Sequence, residues 1–177
     1  MIHKNLSLIM LLTIKKALSS LLLLLTLSAF AETNNVSIVI HGGAGWFTGM
    51  AQEDIDGIKE ALEESANKGY EIMLEGGTSL DAVEEAIVIL EDNPLFNAGR
   101  GAVYTSEFKQ ELDASIMDGS DLNAGAAASV TNVKNPIRLA RHIMDNTKHV
   151  MFSSKGAERV AKEAGLDIVY PSYFYSK

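Results

Sequence analysis

Between Asn93 and Asp118 the chain reads NPLFNAGRGAVYTSEFKQELDASIMD, a run that leaves its backbone little choice. Asp92-Asn93 followed by Pro94 predicts a turn, because proline cannot continue a helix and restricts the residue before it. Gly99 and Gly101 flank Arg100, so Gly99–Gly101 is expected to be a loop of tight, specified shape. Ala102–Thr105 and Glu111–Met117 are predicted strands. In the second, Leu112, Ala114 and Ile116 alternate with Glu111, Asp113 and Ser115, the period of a strand with one buried face. Asp118-Gly119 is a turn signal. The run holds no usual nucleophile with a matched base, so its shape rather than its reactivity is the feature to explain.

The flanking chain predicts a mixed order of helices and strands. Val36–Ile40 (VSIVI) is a β-branched run long enough for a buried strand and too short for a helix, and it leads into His41-Gly42-Gly43-Ala44-Gly45. Gln52–Lys68 carries Ile55, Ile58, Leu62 and Ala66 at helical spacing, with Gly69 where a helix-ending glycine belongs. After the Gly76-Gly77 break, Ser79 is the expected cap of a second helix. Its apolar stripe is Leu80, Val83, Ile87 and Leu90, with Asp81 in the first turn. Ala124–Val133 is a small-residue strand, Asn135-Pro136 opens a helix bearing Ile137, Ala140, Ile143 and Met144, and His149–Phe152 is a short strand. Lys155–Ala164 is a helix ending at Gly165, followed by an aromatic tail of Tyr170, Tyr173, Phe174 and Tyr175. Neighbouring strands among helices suit an α+β arrangement of layers better than repeated βαβ units.

The first 31 residues stand apart. Lys4, Lys15 and Lys16 precede a mostly apolar Ala17–Leu27, and Ala29-Phe30-Ala31 precedes Glu32. This is the pattern of a cleaved secretory signal, with an apolar run too short for a permanent span. Cleavage after Ala31 leaves 146 residues, a single domain, and moves the net charge from −8 to −11. So acidic a chain does not suit nucleic acid or anionic membrane as a partner. No cysteine is present, so an exported form relies on an ordinary apolar core. A periplasmic or secreted protein with no membrane attachment after cleavage is expected.

Motif searches exclude several chemistries. His41-Gly42-Gly43 could form an oxyanion loop, but no G-x-S-x-G nucleophile motif accompanies it. No phosphate-binding G-K-[ST] loop occurs, and Gly43-Ala44-Gly45 has Thr48 where a dinucleotide fingerprint needs glycine. His3, His41, His142 and His149 do not make a ligand cluster, and the acids Glu53, Asp54, Asp56, Glu84 and Glu85 read as solvated helix faces.

HGGAG after the first strand, GGTSLDAVEEAI, NPLFNAGRGAV, ELDASIMDG and NPIRLAR occur in this order. Together they resemble the α-subunit region of plant-type L-asparaginases/isoaspartyl (β-aspartyl) peptidases, from Ile38 to about Arg159. The glycosylasparaginase branch, which shares the DA-x-IMDG strand but not the NPLFNAG loop, is the second choice. The resemblance implies an αββα sandwich of the N-terminal-nucleophile type, of which residues 32–177 would supply the α half. It also implies a precursor that cuts itself before a threonine and an (αβ)2 assembly. The freed threonine would use its own α-amino group as base, with no cofactor. The substrates would be asparagine or a β-aspartyl dipeptide.

The family's threonine lies in a G-T-V-like strand that does not occur up to Lys177; Thr105, Thr131 and Thr147 lack that context. The chain is therefore expected to be an α-like part or truncated precursor, inactive alone and completed by a β region carrying the threonine. A non-catalytic remnant or binding module of the same fold is the alternative. Carried over by position, Asn97 would hydrogen-bond near the threonine; the alternative reading is an Asx-type turn residue. Gly42 and Gly43 would line the cleavage site. The main-chain carbonyls of Leu90, Glu91, Asn93, Phe96, Ala98 and Arg100 would hold a structural sodium ion, unless Pro94–Gly99 is a plain connector.

Overall fold

The computed structural model describes residues 35–43, 45 and 48–175; the signal-like segment lies outside them, and Val36–Lys177 forms one unit. Its elements are helices α1 (Gln52–Leu74) and α2 (Ser79–Asp92), strands β1 (Leu112–Met117) and β2 (Ala124–Val130), helix α3 (Pro136–Asn146), strand β3 (Met151–Ser153) and helix α4 (Ser154–Glu163). Single 3-10 turns occupy Gly99–Gly101 and Pro171–Phe174. Helices and a small mixed sheet make this an α+β fold.

β1 and β2 form an antiparallel hairpin, with Met117 opposite Ala124 and Leu112 opposite Val130. The register slips between Leu112 and Ala114. There Asp113 Oδ1 accepts the Ser129 amide at 2.7 Å, and Ser129 sits at φ 52°. The carboxylate thus satisfies a donor that the bulge removes from the ladder. β3 joins β2 in parallel, Ala127 beside Phe152, so one βαβ crossover through α3 sits within the predominantly α+β arrangement.

The helices cover one face of the sheet. Leu112, Ala127 and Val130 share a core with Leu139, Ile143, Ala157, Ala161 and Phe174. Ile116 packs with Ile137, Ala140 and Met144, against which α2 lays Leu80, Val83 and Ile87. Gly125 is what lets α3 settle: a Cβ there would strike the Ala140 carbonyl and stand 2.6 Å from the Met144 nitrogen. On the other face of β1, Asp113, Ser115 and Met117 are exposed. The alternation read from sequence is therefore reproduced residue by residue.

Several local expectations shift. α1 runs past Gly69 to Leu74, because Gly69 is a packing residue; a Cβ would meet Ile38 and stand 3.0 Å from the Ala82 carbonyl oxygen. The break comes at Gly76, at φ 89°. Thr78, not Ser79, caps α2: its hydroxyl accepts the Asp81 amide while the Asp81 carboxylate accepts the Thr78 amide. Val36–Ile40 forms no ladder among the described residues, although alternate residues turn towards the helices and Val39 stays 92% exposed. Of Ala102–Thr105 only a Tyr104–Gln110 bridge is paired, and the tight loop expected at Gly99–Gly101 is a 3-10 turn. Val133 pairs with Ile168 outside β2. Pairing requires a neighbour at the right distance, which hydrophobic pattern alone does not report.

Candidate functional site

The loop after α2 is built on local hydrogen bonds. The Asn93 amide donates to the Leu90 carbonyl, and Asn93 Oδ1 accepts the Leu95 amide at 2.9 Å. Phe96 is 5% exposed and lines the same pocket as Ile58 and Leu62 of α1. Asn97 follows it, exposed, with Oδ1 accepting the Val103 amide at 3.0 Å. The bond spans six residues, so it braces the loop without making an Asx turn, which takes the amide two residues on, as Asn93 does with Leu95. It uses the oxygen only; no partner is recorded for Nδ2 among the described residues, which leaves that donor available.

The glycine loop meets the same place. A Cβ on Gly42 would stand 3.0 Å from Leu62 Cδ2 and 3.1 Å from Phe96 Cε1, so glycine is needed there for room. Gly43 faces open space but lies at φ 103°, so glycine is needed there for conformation. His41 Nδ1 accepts the Gly43 amide at 3.3 Å and shapes the turn. Gly42, Gly43 and Asn97 all line one pocket of about 710 Å³, floored by Ile58, Leu62, Leu90, Leu95 and Phe96. Residues more than fifty positions apart in sequence therefore share one cavity wall.

Behind Asn97, main-chain carbonyls lie close against the two glycines of the 3-10 turn. Gly99, at φ 48°, leaves no space for a Cβ beside the Glu91 carbonyl oxygen. A Cβ on Gly101 would overlap the Phe96 carbonyl oxygen and lie 2.6 Å from that of Pro94. Glu91 and Phe96 are two of the positions expected to supply cation-binding oxygens. Those of Leu90, Asn93 and Ala98 each accept one backbone amide, which leaves a second lone pair on each. Hard oxygens without side-chain carboxylates suit a monovalent ion, and no cluster of His, Cys, Asp or Glu competent for a metal occurs among the described residues.

Glu91 also contributes through its side chain, which sequence reasoning missed. It is 3% exposed; Oε1 accepts the Ile137 amide at the start of α3 at 3.0 Å, and Oε2 has no partner among the described residues. Burial pushes its carboxyl up to about 7, against the lowering by the Ile137 amide. The signal was present: Glu91 falls four residues after Ile87 on the apolar side of α2. His142 and His149 stay on the far elements, where His149 stacks edge-on against Phe152 at 5.2 Å.

The asparaginase family model matches residues 34–177. The chain is 47% identical over 138 residues to a plant-type L-asparaginase of Pyrococcus furiosus, covering 78% of this chain and 43% of that protein. It is 42% identical over 130 residues to an isoaspartyl peptidase/L-asparaginase of Xenopus laevis, covering 73% and 41%. The corresponding protein of Rattus norvegicus is 40% identical over 129 residues, covering 73% and 38%. The chain thus spans about two-fifths of the length of the curated relatives it matches.

Proposed function

The chain belongs to the asparaginase family, and from that premise we propose that it is the N-terminal, α-like part of an autoprocessing threonine hydrolase. Its substrates are L-asparagine and β-aspartyl dipeptides. The observation that carries this reading is the shared pocket wall of Gly42, Gly43 and Asn97. A β part supplies the threonine, whose α-amino group takes the hydroxyl proton as the oxygen attacks the side-chain carbonyl carbon of asparagine. The carbon–nitrogen bond breaks, the nitrogen leaves as ammonia with that proton, and a β-aspartyl ester remains. Water then attacks the ester, releasing aspartate and restoring the hydroxyl.

In this scheme Asn97 uses Nδ2 to hold the threonine while Oδ1 stays on Val103. Gly42 and Gly43 leave room for the peptide that is cut. A sodium ion on the carbonyls of Leu90, Glu91, Asn93, Phe96, Ala98 and Arg100 would stiffen the loop beneath Asn97; it takes no part in bond making. The exposed face of β1 supports an αββα sandwich in which the β part adds the facing layer, and (αβ)2 is the proposed assembly. We also propose export, with cleavage after Ala31, from the charge and apolar pattern of the N-terminus; N-terminal sequencing of protein recovered outside the cytoplasm should begin at Glu32.

The test is to supply the β part of a relative, fused or co-expressed, and to measure ammonia from L-asparagine and aspartate from a β-aspartyl dipeptide. Release of both, abolished when the leading threonine becomes alanine, is the expected result. A soluble, assembled pair that releases neither would defeat the proposal.

A further inference from the structure

Asn97 receives no hydrogen bond from beyond residue 103 in the described chain, so its direction depends on where the two ends of its loop are held. The entry is Asp92, the last residue of α2, and the exit is Arg100 in the 3-10 turn. One side chain touches both. The Tyr173 ring lies under the Arg100 guanidinium, 5.4 Å from its centroid, and the Tyr173 hydroxyl donates to Asp92 Oδ1 at 3.3 Å. The hydroxyl contact is long for an O–H···O bond, so the ring carries more of the tie than the hydroxyl.

Tyr173 is itself fixed. Its neighbour Phe174 is fully buried in the core with Ala102, Leu112 and Val133, and the two rings meet edge-to-face at 5.3 Å. The buried Gln110 amide nitrogen donates both to the Phe174 carbonyl at 2.8 Å and to the Ala102 carbonyl at 2.7 Å. It thereby rivets the Pro171–Phe174 turn to the residue that follows Gly99–Gly101. Asp92 is held from a third side by Lys134 Nζ at 3.0 Å and Asn135 Nδ2 at 3.2 Å. The hydroxyl keeps its proton, since burial and the neighbouring Asp92 raise its pKa above the ordinary tyrosine value.

We propose that Tyr173 is a positioning residue: clamped between Arg100 and Asp92, it sets the distance between the two ends of the Asn97 loop and hence the direction of the Asn97 side chain. This rests on the reading of Asn97 given above, and it makes the aromatic tail part of the site's support rather than a surface appendage. Its consequence is that loosening the Tyr173 contacts, with Phe174 left in the core, loosens the site loop more than the sheet and α3.

Amide hydrogen exchange by NMR on the full chain separates this from general stabilisation. The amides of Leu95, Gly101, Ala102 and Val103 report the loop, and those of Ala127 and Leu139 report the core. Tyr173→Leu should speed exchange at the loop amides about two- to fivefold with the core amides unchanged, Tyr173→Phe should do so by less, and Tyr170→Leu, at an exposed position of the same tail, should do nothing. Unchanged loop amides, or loop and core amides rising by one common factor, would overturn the clamp. Asn97→Ala is the separate arm. If it leaves Val103 exchange unaltered, the Oδ1 bond that orients Asn97 fails, while the clamp is still decided by Gly101 and Ala102.

Discussion

The Asn97 side-chain oxygen accepts the Val103 amide at 3.0 Å, bridging the whole Gly99–Gly101 turn. This bond occupies Oδ1 and leaves Nδ2 without a partner among the described residues, which divides the two roles the residue can play. With the β part supplied, Asn97→Asp keeps the acceptor but loses the Nδ2 donor. It should fold normally and lose about a hundredfold in kcat. Asn97→Ala loses both, and its melting temperature should fall as well, corresponding to about 1 kcal/mol for one hydrogen bond. Steady-state ammonia release and thermal melts distinguish the two.

Gly99→Ala and Gly101→Ala test the carbonyl cradle. Each Cβ would meet backbone oxygen, and at Gly99 the left-handed backbone adds strain, so a loss of about 2 kcal/mol is expected. If the cradle holds sodium, the melting temperature of the native chain should rise in sodium chloride over tetramethylammonium chloride at equal ionic strength. A concentration of a hundred times Kd would add about 2.7 kcal/mol. The Gly101→Ala chain should show no such difference.

Gly125→Ala should be the most damaging small change in the sheet. The Ala140 carbonyl and the Met144 nitrogen stand where the new methyl must go, and α3 can yield only by lifting off Ile116 and Ala127. Urea unfolding should show a loss of about 3 kcal/mol or failure to fold.

Glu158 should give the fold an acid-sensitive contact. Its carboxylate is desolvated, which alone would raise its pKa. The hydrogen bonds from Lys155, Thr131 Oγ1 and the Thr131 amide outweigh that and leave it lowered. A lowered folded-state pKa means the contribution is complete above the ordinary carboxylate range and is lost as pH falls through the folded value. Glu158→Gln should therefore be less stable than the native chain at pH 7 by about 1.5 kcal/mol, and the gap should narrow on acidification. A gap that stays constant with pH would count against this assignment.

Thr78→Ala removes a capping-box hydroxyl at the start of α2 and should cost about 1 kcal/mol by thermal melting, whereas Ser79→Ala should change little because Ser79 makes no cap bond.

What the sequence determined by itself was whatever depends on neighbours a few residues apart. The stripe on α2, the alternation of β1, Pro136 at the start of α3 and the stop at Gly165 were all legible, because helical and extended periodicities are local. So was the Asn93–Gly101 loop, whose turn-formers restrict the backbone in any context. Tertiary structure decided the rest. Gly69 reads as a helix-ending glycine and Gly125 as one small residue of a strand, yet each marks a specific close approach of one element to another. Glu91 falls on the apolar side of α2, but only folding supplies the Ile137 amide that its buried carboxylate accepts. Tyr173 lies some seventy residues from Arg100, and only folding brings its ring beneath that guanidinium. Those contacts join parts of the chain whose separation no periodicity encodes. The loop that dominated the sequence is therefore recognisable locally, but what holds it in place comes from the other end of the described chain.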